Sequence, residues 1–183
     1  MAPNDSRFAA LAKLVRDLCQ LRRGPEDMPH SPALLALLIA ASIAIDVAAG
    51  SVIGVENDRV AHVLVSTTLI LALAWIALAM RGLGHRYVQT ASALVACSIA
   101  FSLLVLPLAW LAGPPPAPPA RPPPLQTLLW TAMLAVVVWN LAVNAHIVRR
   151  AIEAPYGLAF AIVVAWAVAD WALAHALFDT APQ

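Results

Sequence analysis

Five long apolar runs constrain most of what this chain can fold into. Each run has about 20 or more residues, and a helix rising about 1.5 Å per residue crosses a hydrocarbon core of about 30 Å in that length. Because lipid offers no hydrogen-bond partners to the backbone, we expect the runs to be transmembrane helices rather than strands. They cover residues 32–54, 60–80, 87–112, 125–148 and 157–178.

The composition agrees with a membrane location. Hydrophobic residues make up 62% of the chain and charged residues only 11%, whereas soluble domains carry about 25% charged residues. We therefore predict an all-α, polytopic membrane protein. Residues 1–30 are predicted to form a cytoplasmic amphipathic helix and linker, and residues 31–183 a five-helix transmembrane domain. The net charge of +1 gives no reason to expect a nucleic-acid partner.

The cationic residues predict the orientation. Nine of the eleven Lys and Arg residues fall before the first apolar run or in the two connections on the same side, and only Arg59 and Arg121 fall on the other side. Since retained Lys and Arg mark the cytoplasmic face, we expect a cytoplasmic N-terminus and an external C-terminus. The abundance of Arg, Ala and Pro is typical of a GC-rich genome and favours a bacterial inner membrane.

The segment before the first run, "RFAALAKLVRDLCQLRRG", has the period of an amphipathic helix. We predict that it lies in the cytoplasmic headgroup layer, where anionic lipids attract its arginines; a helix that binds a protein partner is the alternative. Ser31 followed by Pro32 is predicted to cap the first span. The predicted apolar face and the predicted lipid-surface cations are Phe8, Leu11, Val15, Leu18 and Leu21, and Arg16, Arg22, Arg23, Arg149 and Arg150.

Small residues at four-residue spacing predict helix packing. Gly50 and Gly54 form a GxxxG, and Ala165 and Ala169 belong to a row of alanines in the fifth span. Packing inside the bundle is the expected use, with contact between two copies as the alternative. A similar row in the third span comprises Ser92, Ala96 and Ala100.

Two further features of the sequence are a proline-rich loop and a pair of cysteines. The loop 113–124 holds eight prolines in twelve positions, which favours polyproline II and indicates an external spacer rather than a ligand for a proline-binding domain. The two cysteines, Cys19 and Cys97, have no metal-ligand spacing and are not expected to meet.

Polar residues within the apolar runs are the candidate site. Asp46 and Asp170 each lie about eight residues from the outer end of their span, so they have similar predicted depth. No Lys or Arg within a span neutralises them, which leaves protonation, a proton shared by the two carboxyls, or pairing with a histidine. The candidates are Asp46, Asp170, His175, His62, Asn140 and Asn144.

The spacing of these candidates along their helices limits which of the side chains can meet. Asp170 and His175 are five residues apart, roughly 140° around a helix, so we expect His175 to contact Trp171 instead. Asn140 and Asn144 are expected to bond to a neighbouring helix, with contact to a substrate as the alternative. The carboxylates and histidines would suit a divalent metal, but no ligand motif supports one, and we predict no metal and no cofactor. These residues therefore have two interpretations: polar groups that satisfy one another, or a proton relay.

No catalytic motif or extramembrane domain points to an enzyme. The stretches "RRGPEDMPHSPALL" and "VRRAIEAPYGLAFAIV" resemble what bacterial relatives of the Yip-domain membrane proteins have before their first and last spans. This resemblance implies a helper, scaffold or trafficking protein and assigns no site residue. We therefore expect a non-enzymatic interaction or accessory protein with a membrane-protein partner or a second copy. The alternative is a proton-linked transporter or channel subunit using Asp46, Asp170 and His175.

Overall fold

A computed structural model describes residues 3–53, 59–113 and 122–178. This part of the chain folds into six α-helices and two short 3₁₀ turns and contains no strand, which confirms the all-α prediction. Five of the helices are long and apolar enough to cross a membrane. The helices are α1 (Pro3–Cys19), α2 (Pro32–Ile53), α3 (Arg59–Met80), α4 (Tyr87–Ala112), α5 (Pro124–Ile152) and α6 (Tyr156–Phe178).

The helix ends follow local signals in the sequence. The Ser31 hydroxyl accepts a hydrogen bond from the Leu34 N–H at 3.2 Å, which confirms the predicted cap of α2. Helix α5 continues four residues past its apolar run, to Ile152, and carries Arg149 and Arg150 in its last turn. It ends where Glu153 adopts a left-handed conformation with φ of 53°.

Helix α4 lies at the centre of the bundle. It packs most extensively against α2 and α5, while α6 packs on α5 and α3 contacts α2 and α6. Every residue from 90 to 97 of α4 is buried, so this part of the helix is covered on all sides. Ser92 and Ala96 belong to this stretch, which confirms the packing predicted for their row.

The N-terminal segment, residues 3–31, supplies part of that cover. Leu18 and Met28 are fully buried in a cluster with Cys97 of α4 and Ile147 of α5. Phe8, by contrast, is 76% exposed. The segment therefore docks on its own bundle, an intramolecular contact that neither the lipid-surface prediction nor the partner-binding alternative included.

Four hydrogen bonds join side chains of the bundle to the backbone of this segment, and one of them, from Gln89 to the Glu26 carbonyl, is 3.3 Å long. The Trp139 indole N–H donates to the Cys19 carbonyl at 2.9 Å, and the Gln89 amide donates to the Met28 carbonyl at 2.9 Å. His146 of α5 is buried with Nε2 3.1 Å from the Arg23 carbonyl. These bonds satisfy carbonyls that follow the end of α1, and they fix the path of the chain between α1 and α2.

The predicted separation of the cysteines is wrong. Cys19, at the end of α1, and Cys97, in α4, are free thiols joined by a hydrogen bond between their side chains. The expectation failed because it treated α1 as a helix lying on lipid. Docking of α1 along α4 brings two residues 78 positions apart in the sequence into contact.

Two other packing predictions concern the alanine row of α6 and the GxxxG of the first span. Ala165 and Ala169 are exposed on α6, so the internal packing predicted for them is not observed. The buried side of that helix carries Ala159 and Val163 instead. The predicted GxxxG is not tested, because Gly54 lies outside the described residues and the surroundings of Gly50 are not described. Residues 114–121 of the proline-rich loop also lie outside the described residues.

Candidate intramembrane polar site

Two adjoining cavities in the bundle gather polar side chains from several helices. The first, about 240 Å³, lies between α2, α4 and α5, and the second, about 210 Å³, is lined by residues from all five apolar helices. Ser98 and Asn140 line both cavities. The first cavity also has Asp46 and Ser102, and the second has Ser42, Thr67, Asn144 and Asp170. The structure thus brings four of the six predicted site residues into one region.

Asp46 is held by two serine hydroxyls. Ser102 of α4 donates to Oδ1 at 3.0 Å, and Ser42, one turn earlier on α2, donates to Oδ2 at 3.4 Å. Both carboxylate oxygens therefore have a partner, and the bond from Ser102 ties α2 to α4. Sequence reasoning missed both serines, although the four-residue spacing of Ser42 and Asp46 was a usable signal.

Asp170 has a different environment. It is half-buried on α6 and lines the second cavity together with Thr67 and Trp166. Within the described ranges, no hydrogen bond or ion pair joins its carboxylate to another residue. A carboxylate among apolar helices with no protein partner has to be solvated, protonated or bound by a guest in the cavity.

Asn140 and Asn144 bond to each other along α5. The Asn144 amide donates to the Asn140 carbonyl oxygen at 2.8 Å, so the interhelical bond predicted for them is not observed. Both side chains line the second cavity with Asp170. The Asn140 amino group and the Asn144 carbonyl oxygen keep the capacity to bond to a guest there, as the alternative prediction requires.

The two histidines are placed away from these cavities. His175 contacts Trp171 edge-on, with ring centroids 4.5 Å apart, which confirms the predicted contact. His62 is half-buried near the start of α3, and neither histidine lines either cavity. In the part of the chain that the structure describes, no three His, Cys, Asp or Glu side chains come together as metal ligands.

No hydrogen bond joins Asp46 and Asp170, which line different cavities, and Ser42 is the residue that links their environments. Its hydroxyl donates to Asp46 and it also lines the cavity that Asp170 lines. A proton shared directly by the two carboxyls therefore does not describe this site. Hydroxyls, amides and space for water separate them, which is an arrangement that passes protons or holds a small polar guest.

Comparison with known proteins adds no assignment to this geometry, since no family model, curated protein or solved structure matches the chain. The resemblance to Yip-domain proteins stays a prediction.

Proposed function

We propose that this protein is a small proton-linked transporter or channel subunit, non-enzymatic and embedded in the inner membrane with its N-terminus in the cytoplasm. The observation that carries the proposal is Asp170, an ionisable side chain with no partner among the described residues, in a polar cavity between apolar helices. Five helices able to span a membrane make this a multi-pass membrane protein. The cytoplasmic N-terminus rests on the distribution of Lys and Arg.

Keeping the Asp170 carboxylate within an apolar helix has an energetic cost. An intramembrane carboxylate costs about 2.5 to 3.5 kcal/mol on insertion scales, so membrane helices retain one where it binds a proton or an ion. Asp46 is stabilised by its two serines and has a structural use as well. Asp170 has no such use among its described neighbours, which makes it the better candidate for the working group.

The cavity sizes limit the cargo. Ligand pockets for organic molecules have volumes of about 300 to 1,000 Å³, and each of these cavities is smaller. At about 30 Å³ for each water, the cavities of about 240 and 210 Å³ have room for about eight and about seven waters. We therefore propose that the site carries protons or a small cation along a path from Asp170 past Ser42 to Asp46. His175 is not on this path.

The test is proton flux in vesicles. We expect proteoliposomes holding the purified chain to dissipate an imposed pH gradient, read with an enclosed pH-sensitive dye, faster than empty vesicles. Asp170→Asn keeps the shape but cannot give up a proton, so it should lower the rate at least about tenfold. Asp179→Asn, nine residues further along the sequence and outside the fifth apolar run, is the matched control and should leave the rate unchanged.

Equal rates for vesicles with and without the protein would rule out the proposal. So would an unchanged rate in Asp170→Asn at equal protein content. Asp46→Asn should have a smaller effect than Asp170→Asn, because Ser102 and Ser42 already satisfy that side chain.

A second candidate function, an interaction or accessory protein, is favoured by the exposed alanines of α6. Ala165 and Ala169 lie at four-residue spacing on a face that the bundle leaves open. Small residues let another membrane helix approach closely, so this face suits a membrane-protein partner or a second copy of the chain. Under this proposal the polar cavities are structural.

Purification in mild detergent tests this second candidate. A stoichiometric partner, or a dimer, should be lost in Ala165→Ile and Ala169→Ile, whose added bulk blocks close approach. Ala135→Ile, at an exposed alanine of α5, is the control and should keep the partner. A chain that purifies as a monomer without a partner would contradict this function.

A further inference from the structure

A third cavity, of about 600 Å³, opens at the end of the bundle where the charged residues collect. It lies between the turn Pro25–Asp27 of the N-terminal segment, the start of α4 and the end of α5. By the distribution of Lys and Arg this is the cytoplasmic end. None of its lining residues belongs to the two polar cavities, so it is a separate feature from the proposed proton site.

Two ion pairs hold arginines at the wall of this cavity. Arg150 Nη1 is 2.6 Å from Glu26 Oε1, and Arg86 Nη1 is 2.7 Å from Glu153 Oε1. A guanidinium has five N–H donors, and each contact occupies one nitrogen. The carboxylates therefore orient both guanidinium groups and leave most of their donors available.

A third arginine gives the cavity a surplus of positive charge. Arg149 is exposed at the same wall, and within the described ranges no ion pair involves it. Three arginines and two glutamates line the cavity, which leaves one net positive charge. The favoured guest is therefore an anion.

The neutral polar residues of the wall are already in use. Gln89 donates to the Met28 and Glu26 carbonyls, and the Thr90 hydroxyl donates to the Arg86 carbonyl. The donors left for a guest are those of the arginines. Their planar, bidentate geometry matches the oxygens of a phosphate group better than a halide or another small spherical anion.

We propose that this cavity is a binding site for a phosphate-bearing ligand, held by Arg149 and the free donors of Arg86 and Arg150. Its position at one end of the apolar helices is where phospholipid headgroups lie, and a soluble phosphate ester carries the same chemistry. The site goes beyond the proposed proton function and does not depend on it. It also gives Arg149 and Arg150 a defined pocket instead of the diffuse lipid attraction expected from the sequence.

Native mass spectrometry of the full chain in neutral detergent tests the site. We expect phosphatidylglycerol to bind with an affinity that Arg149→Gln lowers about tenfold, which is the loss expected for one charge-assisted contact. Arg81→Gln is the matched control, because Arg81 is an exposed arginine at the end of α3, on the same predicted side, and does not line the cavity. Phosphatidylcholine is the zwitterionic comparison and should bind more weakly.

Glycerol 3-phosphate distinguishes the two sources of the phosphate. If it binds with the same dependence on Arg149 and displaces phosphatidylglycerol, the ligand is a soluble phosphate ester. If only phosphatidylglycerol binds in this way, the ligand is a lipid. Either result supports the site, whereas equal losses in Arg149→Gln and Arg81→Gln would reduce it to general surface charge and overturn the proposal.

A second variant separates binding from folding. Glu153→Gln removes the carboxylate that holds Arg86 and adds one net positive charge to the cavity, so the affinity for phosphatidylglycerol should rise several-fold. A residue needed only to hold the structure together would not give tighter binding when it is changed. Weaker binding in Glu153→Gln would contradict the proposed site.

Discussion

At the scale of single residues, identical side chains acquire different roles from their neighbours. Asp46 and Asp170 have similar predicted depth, and the local difference between their spans is Ser42, one turn before Asp46. Ser102 reaches Asp46 from another helix, whereas Asp170 has no described partner. The serine that decides the difference lies 56 positions from Asp46, beyond the range of any local pattern.

The contact between Cys19 and Cys97 gives a prediction at this scale. The hydrogen bond from Cys97 lowers the pKa of the Cys19 thiol, and desolvation opposes this less strongly. Alkylation proceeds through the thiolate, so the rate for Cys19 should rise with pH around a lower midpoint than in Cys97→Ala. Rates measured by mass spectrometry of the peptide holding Cys19 check this. Coinciding pH profiles would contradict the contact.

At the scale of elements, the N-terminal segment shows what periodicity predicts and what it leaves open. The pattern predicted a helix with one apolar face, and the structure has a helix there, α1. That face covers α4 and α5 rather than lipid, and it excludes two members of the predicted stripe, since Phe8 and Leu21 are exposed. Periodicity identifies an apolar face, but an apolar face packs equally well on lipid or on protein.

The docking of this segment can be tested by comparing two residues of the predicted stripe. Leu18 is fully buried, so Leu18→Ala should weaken docking by about 2 to 5 kcal/mol, the usual cost of emptying a packed leucine site. Phe8→Ala should have little effect, because Phe8 is exposed. Hydrogen exchange over residues 3–31 measures the difference. Equal exchange in the two variants would mean that the segment is not docked through Leu18.

At the scale of the whole molecule, the distribution of Lys and Arg predicts the orientation, and the five long apolar helices indicate a bundle that spans a membrane. The five apolar helices each satisfy their own backbone and are long enough to span, so the chain is a multi-pass membrane protein. Ion pairs such as Arg150 with Glu26 lie at one end of the bundle. That end carries most of the cations, which is the basis for placing it in the cytoplasm.

Labelling in intact cells checks this orientation. In a chain whose two native cysteines are replaced by alanine, Ala117→Cys in the proline-rich loop should react with a membrane-impermeant thiol reagent added outside. His85→Cys, in the short turn before α4, should react only after the membrane is opened. The excess of Lys and Arg on one side is the physical reason. The reverse pattern would place the N-terminus outside.

The sequence by itself determined the class of the protein, the five spans to within a few residues, and four of the polar side chains that line the two cavities. These follow from local length and hydropathy, because each membrane helix satisfies its own backbone independently of its neighbours. Only the tertiary structure decided which side chains meet. It placed Asp170 and the two asparagines around one cavity, docked the N-terminal segment on α4, and gathered three arginines, from the turn before α4 and the last turn of α5, at one end. These contacts depend on how helices that are far apart in the sequence pack together, and local hydrophobic periodicity does not encode that packing.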